Sequence, residues 1–220
     1  MHIQAGRHKG RVLLGPPAGS TTRPITGLAK KSLFDTLADW MPEAVVVDLY
    51  CGTGSMGLEA LSRGARRVAF GEMDRRVLDR LRRNIEALGV GDCSIIWPGD
   101  VTRGLAGRLD ELGERVDLAF VDPPYADLRK WDWPAAEAAL FAPLADHLAP
   151  DGVVVLRMPG DAPAPGGAGL PFTIAGLKCR REKRFGNMVL ALMGREKRTA
   201  EPGTGSQEPG KETAEPGAKT

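Results

Sequence analysis

The chain has 220 residues, of which 42% are hydrophobic and 26% charged, with a formal net charge of +2 at neutral pH. That length suits one α/β domain with extensions, and so small a charge imbalance says little about partners. Three cysteines (Cys51, Cys93, Cys179) without C-x-x-C spacing and three scattered histidines exclude a disulfide framework and a zinc site, and no apolar run approaches membrane-spanning length, so a reduced cytoplasmic setting is expected.

Charge is unevenly distributed even though the total is balanced. Before Asp35 there is no acidic residue, whereas Arg7, Lys9, Arg11, Arg23, Lys30 and Lys31 all occur there. A second basic cluster, Lys178, Arg180, Arg181, Lys183 and Arg184, comes late. Two basic patches flanking a balanced centre suggest an anionic polymer as partner. Residues 2–14 alternate weakly around Gly6 and Gly10, which predicts a short hairpin with a basic tip. Thr26 is placed to cap a helix that runs to about residue 40.

The body alternates apolar runs with helical patterns. Strands are predicted over 44–49, 67–72, 93–97, 116–121 and 152–158, and helices over 55–63, 74–88, 102–112 and 134–148, the last broken near Pro143. Two more strands, 172–177 and 188–193, follow a Gly/Pro/Ala loop and are read as antiparallel. The sum is a Rossmann-like α/β domain with a doubly wound, mostly parallel, seven-stranded sheet and an amino-terminal hairpin and helix extension. The expected division is 1–41 for the extension, 42–194 for the sheet domain and 195–220 for a disordered tail in which Glu-Pro-Gly recurs.

Chemistry concentrates at two strand ends. After the fourth strand comes Asp122-Pro123-Pro124-Tyr125. Two prolines make a stiff turn, so Asp122 and the Pro123 carbonyl can accept both N–H groups of an exocyclic amine while Tyr125 stacks on the base. After the first strand comes Asp48-Leu49-Tyr50-Cys51-Gly52-Thr53-Gly54-Ser55-Met56-Gly57, which literally matches the dinucleotide pattern G-x-G-x-x-G. Asp48, however, would repel a pyrophosphate on the following helix and would suit the ammonium of a methionine moiety.

These residues resemble the class I S-adenosylmethionine-dependent methyltransferases. The resemblance implies that Gly52 and Gly54 let the backbone approach S-adenosylmethionine, that Glu72 takes the ribose hydroxyls, that Asp100 binds the adenine amino group and that Met73 flanks its ring. With Ala5-Gly6-Arg7-His8-Lys9-Gly10-Arg11, Thr22-Arg23-Pro24 and Gly57-Leu58-Glu59-Ala60-Leu61-Ser62-Arg63-Gly64-Ala65 included, residues 2–193 resemble the bacterial RsmD family. That likeness implies methylation of N2 of a guanine in small-subunit (16S) ribosomal RNA, with ribosomal RNA or a small-subunit particle as partner; no metal and a monomer are the remaining expectations. The chain departs from the family pattern at Ile25-Thr26-Gly27-Leu28 and at Asp35, which touches the substrate contacts and leaves the glycine loop intact. Arg7, Lys9, Arg11 and Arg23 are the candidate phosphate contacts. The alternative is an adenine-N6 methyltransferase acting on DNA, since Asp-Pro-Pro-Tyr suits that amine too; a non-catalytic nucleotide- or RNA-binding protein and a nicotinamide enzyme stand behind it.

Overall fold

The computed structural model describes residues 1–19, 25–163, 165 and 172–196. Arg23 with its neighbours 20–24, most of the 161–169 loop and the tail after Glu196 therefore lie outside the described residues. In chain order the elements are α1 (Gly27–Thr36), β1 (Val45–Leu49), α2 (Ser55–Ser62), β2 (Arg67–Glu72), α3 (Arg75–Leu88), β3 (Ser94–Pro98), α4 (Leu105–Leu112), β4 (Val116–Val121), α5 (Tyr125–Leu128), α6 (Trp133–Ala136), α7 (Ala142–His147), β5 (Leu148–Pro159), β6 (Thr173–Ile174), β7 (Leu177–Phe185) and β8 (Met188–Arg195). The strands form one sheet in the order β3-β2-β1-β4-β5-β8-β7-β6. The five from β3 to β5 are parallel and the last three antiparallel.

The parallel half is buried on both faces, which is why its strands read as continuous apolar runs. Val45, Val47 and Leu49 of β1 enter a core with α4, α7 and their neighbours. Val46 enters the opposite core, with Phe34, Phe70 and Phe120. Local signals set the helix ends. Thr26 Oγ1 accepts from Ala29 N at 3.4 Å, and Asp74 Oδ1 accepts from Arg76 N at 2.8 Å.

Three readings of the sequence need correction. The sheet has eight strands, because β7 coincides with the basic cluster Lys178–Arg184, whose charged side chains face solvent and hide the short apolar alternation of Leu177 and Cys179. Helix α4 starts at Leu105 and not at 102, since Gly104 takes a left-handed φ of 71° just before it. The break placed at Pro143 is distributed: a π-turn over Glu137–Phe141 precedes the proline and joins α6 to α7. The short helix α5, directly after the two prolines, was not foreseen.

The amino-terminal extension is held by one buried carboxylate. Glu59 of α2, with no exposed surface, accepts from the backbone N–H groups of Gln4 (2.8 Å) and Ala5 (3.0 Å) and pairs with Lys30 Nζ (2.9 Å) and Arg63 Nε (2.8 Å). Beside it the hairpin backbone touches the end of α2: Arg7 N donates to Ser62 O at 2.8 Å, and a Cβ at Gly6 would lie 1.7 Å from that oxygen. Lys30 is thus a buried structural cation and not part of an exposed basic patch as the charge count suggested, while Lys31 stays exposed and is paired with Asp35.

Burial pushes the Glu59 carboxyl up, but the Gln4 N–H and Lys30 outweigh it and the net shift is downward from 4.5. Its contribution to stability is therefore present above that ordinary value and lost as pH falls through the depressed folded value. Glu59→Ala should cost about 3–5 kcal/mol, since it leaves a buried lysine uncompensated. Urea unfolding at pH 7 measures it, and a midpoint equal to the parent's would contradict the anchoring role.

Candidate active site

Strand β1 lies between β2 and β4, and the crevice at its carboxyl end is the position where open α/β sheets bind ligands. The chain turns sharply there, with left-handed φ values at Tyr50 (58°), Gly52 (58°) and Gly54 (84°). At Gly54 a side chain is also excluded by packing, because a Cβ would sit 2.5 Å from Leu81 Cδ1 of α3.

Three carboxylates border this loop. Asp48 points from β1 toward the start of α2, where its Oδ2 accepts from Gly57 N at 2.8 Å. Its Oδ1 is buried with no hydrogen-bond partner among the described residues. Burial, together with the nearby charges of Asp122 and Glu72 and against the Gly57 N–H, pushes the Asp48 carboxyl up to about 8. Glu72 at the end of β2 accepts from Gly52 N (3.1 Å), Met73 N (2.8 Å) and Asp74 N (2.9 Å), which fixes it against the glycine loop. Asp100 follows β3; its Oδ1 accepts from Thr102 N (2.9 Å) and Thr102 Oγ1 (2.7 Å). For Asp100, burial raises the carboxyl but the Thr102 bonds and Arg103 win, so it lies below its ordinary value. Met73, next to Glu72, is 66% exposed, an unusual exposure for a large apolar side chain at the rim of a crevice.

This arrangement decides between two ligand chemistries for the glycine loop. The N–H groups of Gly52 and Gly57, which would receive a pyrophosphate, are already bonded to Glu72 and Asp48. An orphaned, buried carboxylate oxygen is instead a site for a donor-rich cationic group.

The second half of the site is the corner after β4. Asp122 N donates to Leu49 O at 3.3 Å, which sets the corner beside the end of β1. Pro123 is buried, and Asp122 and Tyr125 are partly exposed. Arg157 of β5 lies beneath: its Nε is 2.5 Å from Asp122 Oδ1, and its guanidinium carbon is 5.5 Å from the centre of the Tyr125 ring. Burial raises the Asp122 carboxyl to about 6 even though Arg157 pulls it down. No motif in the sequence marks Arg157. The signal was a single cation inside the apolar run Val153-Val154-Val155-Leu156-Arg157-Met158, where an unpaired charge would not be tolerated.

The structure thus brings Asp48, Gly52, Gly54, Glu72, Met73, Asp100, Asp122, Pro123 and Tyr125 to one edge of the sheet. Arg7, Lys9 and Arg11 are not there. They are exposed on the hairpin docked at the far end of α2, about 12 Å away along that eight-residue helix. The late basic cluster is partly neutralised, with Lys178 paired to Glu196 and Arg184 to Glu182, while Lys183 donates to Ser32 of α1 and keeps its charge. No helix among the described residues is long and apolar enough to cross a membrane, and no metal-ligating cluster occurs among them.

Residues 1–194 match the model of a family described as Conserved hypothetical protein 95. YlbH of Bacillus subtilis strain 168, provisionally named an rRNA methyltransferase, is 29% identical over 195 residues, 87% of this chain and 97% of that protein. Ribosomal RNA small subunit methyltransferase D of Escherichia coli K12 is 34% identical over 125 residues, 57% of this chain and 60% of its own length. The solved structure of yhhF from Escherichia coli, provisionally described as a methyltransferase, superposes with a TM-score of 0.70 at 29% identity, over 89% of this chain and 98% of that one.

Because the folded protein holds protons on Asp48 and Asp122 that the unfolded chain gives up above about 3.8, its stability should fall as pH rises toward 8. Asp48→Asn keeps an acceptor for Gly57 N and should be more stable than the parent at alkaline pH, with the gap closing toward pH 4. In carboxyl NMR titrations Asp48 should titrate near 8 and Asp122 near 6. Arg157→Met should move Asp122 upward, and an unmoved Asp122 would contradict the pairing.

Proposed function

Since the chain belongs to the Conserved hypothetical protein 95 family, the RsmD family of rRNA methyltransferases, we propose that it transfers a methyl group from S-adenosylmethionine to the exocyclic N2 amine of a guanine in small-subunit ribosomal RNA. The observation that carries this reading is the pairing of the Asp122–Pro123 acceptors with the orphaned Asp48 oxygen in one crevice. When bound, S-adenosylmethionine supplies a methyl activated by its sulfonium.

Asp48 Oδ1 would receive the ammonium of the methionine part, a contact that draws the Asp48 carboxyl from neutral to ionised. Glu72 would take the ribose hydroxyls with the acceptor capacity left beyond its three N–H bonds. Met73 would lie along the adenine and Asp100 would accept from its amino group; Gly52 and Gly54 keep the loop free of side chains.

The lone pair of a guanine N2 is delocalised into the ring. Two acceptors that hold its hydrogens favour the more tetrahedral nitrogen on which reaction depends. Asp122, largely ionised at neutral pH, and the Pro123 carbonyl occupy that role, and Tyr125 would stack on the extruded base, a contact worth roughly 1–3 kcal/mol. Arg157 positions both: it steadies the Asp122 charge and supports the Tyr125 ring from beneath. Arg7, Lys9 and Arg11 would contact phosphates, as would Arg23, which lies outside the described residues.

The test is incubation of the protein with methyl-labelled S-adenosylmethionine and either small subunits lacking the modification, free ribosomal RNA or DNA, followed by digestion to nucleosides. Label in N2-methylguanosine is the expected result; label confined to N6-methyladenine would overturn it. Asp122→Ala should bind the cofactor nearly as the parent does and transfer about 10²–10³-fold more slowly.

A further inference from the structure

Helix α3 carries a basic face that no motif marks. Arg76, Arg80 and Arg83 recur at spacings of four and three residues, so they share one side of the helix, and with Asp79 and Pro17 they line a single cleft. Arg76 is paired with Asp74, and Asp79 with Arg82. Arg80 and Arg83 have no acidic partner among the described residues, whereas Arg63, Arg66, Arg67 and Arg129 are all engaged by carboxylates.

Position makes this face more than a solvated stripe. Helix α3 starts at its cap Asp74, directly after Glu72 and Met73 at the rim of the crevice. Its other end meets the basic hairpin: Arg11 Nη2 donates to Ala87 O at 2.5 Å. Between them, Asn84 of α3 exchanges hydrogen bonds with the backbone of Leu14 (2.8 and 3.2 Å) and donates to Thr53 O of the glycine loop (2.9 Å). Hairpin, α3 and loop are thereby fastened into one rigid surface. The exposed cations Arg7, Lys9 and Arg11 stand at its lower end, Arg83 and Arg80 along it, and Arg76 near Met73, with about 16 Å of helix from Arg76 to Ala87. This explains how hairpin cations that lie far from Asp122 would still serve the reaction.

We propose that this face of α3 is the path of the RNA strand, which seats successive phosphates on the hairpin, Arg83 and Arg80 and so delivers the target nucleotide to the crevice. The inference rests on the methyl-transfer reading above and adds the route of the substrate. Cations that run from the α3 cleft on to the hairpin fit a polyanion, whereas a small anion would engage the cleft alone and leave the hairpin cations unused. The contacts are to phosphates, so they position the strand without reading its sequence.

The experiment compares the full chain with Arg80→Gln/Arg83→Gln and Arg80→Lys/Arg83→Lys double variants, in equilibrium binding to a fluorescent fragment of small-subunit ribosomal RNA across a salt titration. Loss of two phosphate contacts should weaken binding roughly tenfold at ~0.1 M salt and reduce the slope of log affinity against log salt by about two. The lysine variant should recover most of the affinity, because a point charge suffices for a phosphate. Melting temperature and S-adenosylmethionine affinity, measured calorimetrically, should match the parent's in both variants. If the glutamine variant binds RNA with the parent's affinity and slope while both still methylate it, the path is overturned and the methyl-transfer reading stands. A parent that neither binds nor methylates RNA overturns both.

Discussion

Removing carboxylates from water is the constraint on which this structure depends. Asp48, Glu59 and Asp122 are each withdrawn into the protein, and each is tolerated only through specific partners. Glu59 is fully satisfied, by two backbone amides and two cations, and it fastens the amino-terminal extension to α2. Asp48 keeps one buried oxygen with no partner among the described residues, Asp122 is paired with Arg157, and burial raises both carboxyls. The difference separates an anchor from a site. A carboxylate whose bonds are complete has nothing to offer a ligand, whereas one with an oxygen left over gains when the ligand arrives.

These two buried carboxyls lie at the ends of neighbouring strands, with β1 and β4 in register and Leu49 opposite Val121. A parallel sheet places the ends of adjacent strands side by side, so chemistry that is 74 residues apart in sequence, from Asp48 to Asp122, converges without a long loop. Prolines then do for β4 what left-handed residues do for β1: both end the strand abruptly and leave polar groups facing the crevice. Arg157, one strand further along, completes the corner from beneath and has no freedom to move away, since it is 7% exposed.

Much of this was legible in the sequence because its physics is local. The glycine loop, the acid at the end of β2, the acid after β3 and the proline corner each follow an apolar run, and strand ends of a parallel sheet meet at one edge whatever the intervening helices do. What escaped depends on pairing across the sheet. Arg157 has no local signature of function, and only its proximity to Asp122 gives it one. Strand β7 was hidden because its charged residues satisfy solvent and only Leu177 and Cys179 are buried within it. Lys30 reads as surface charge although it meets Glu59 inside the protein, and the arginines of α3 read as an ordinary amphipathic helix because the contact from Arg11 to Ala87 is long-range.

A crystal structure of the protein with S-adenosylhomocysteine tests the central claim most directly, because it locates both ends of the ligand at once. The account requires the ligand's amino group on Asp48 Oδ1 and its sulfur turned toward the Asp122–Pro123 corner. An amino group seated elsewhere, or a sulfur facing away from that corner, would contradict it.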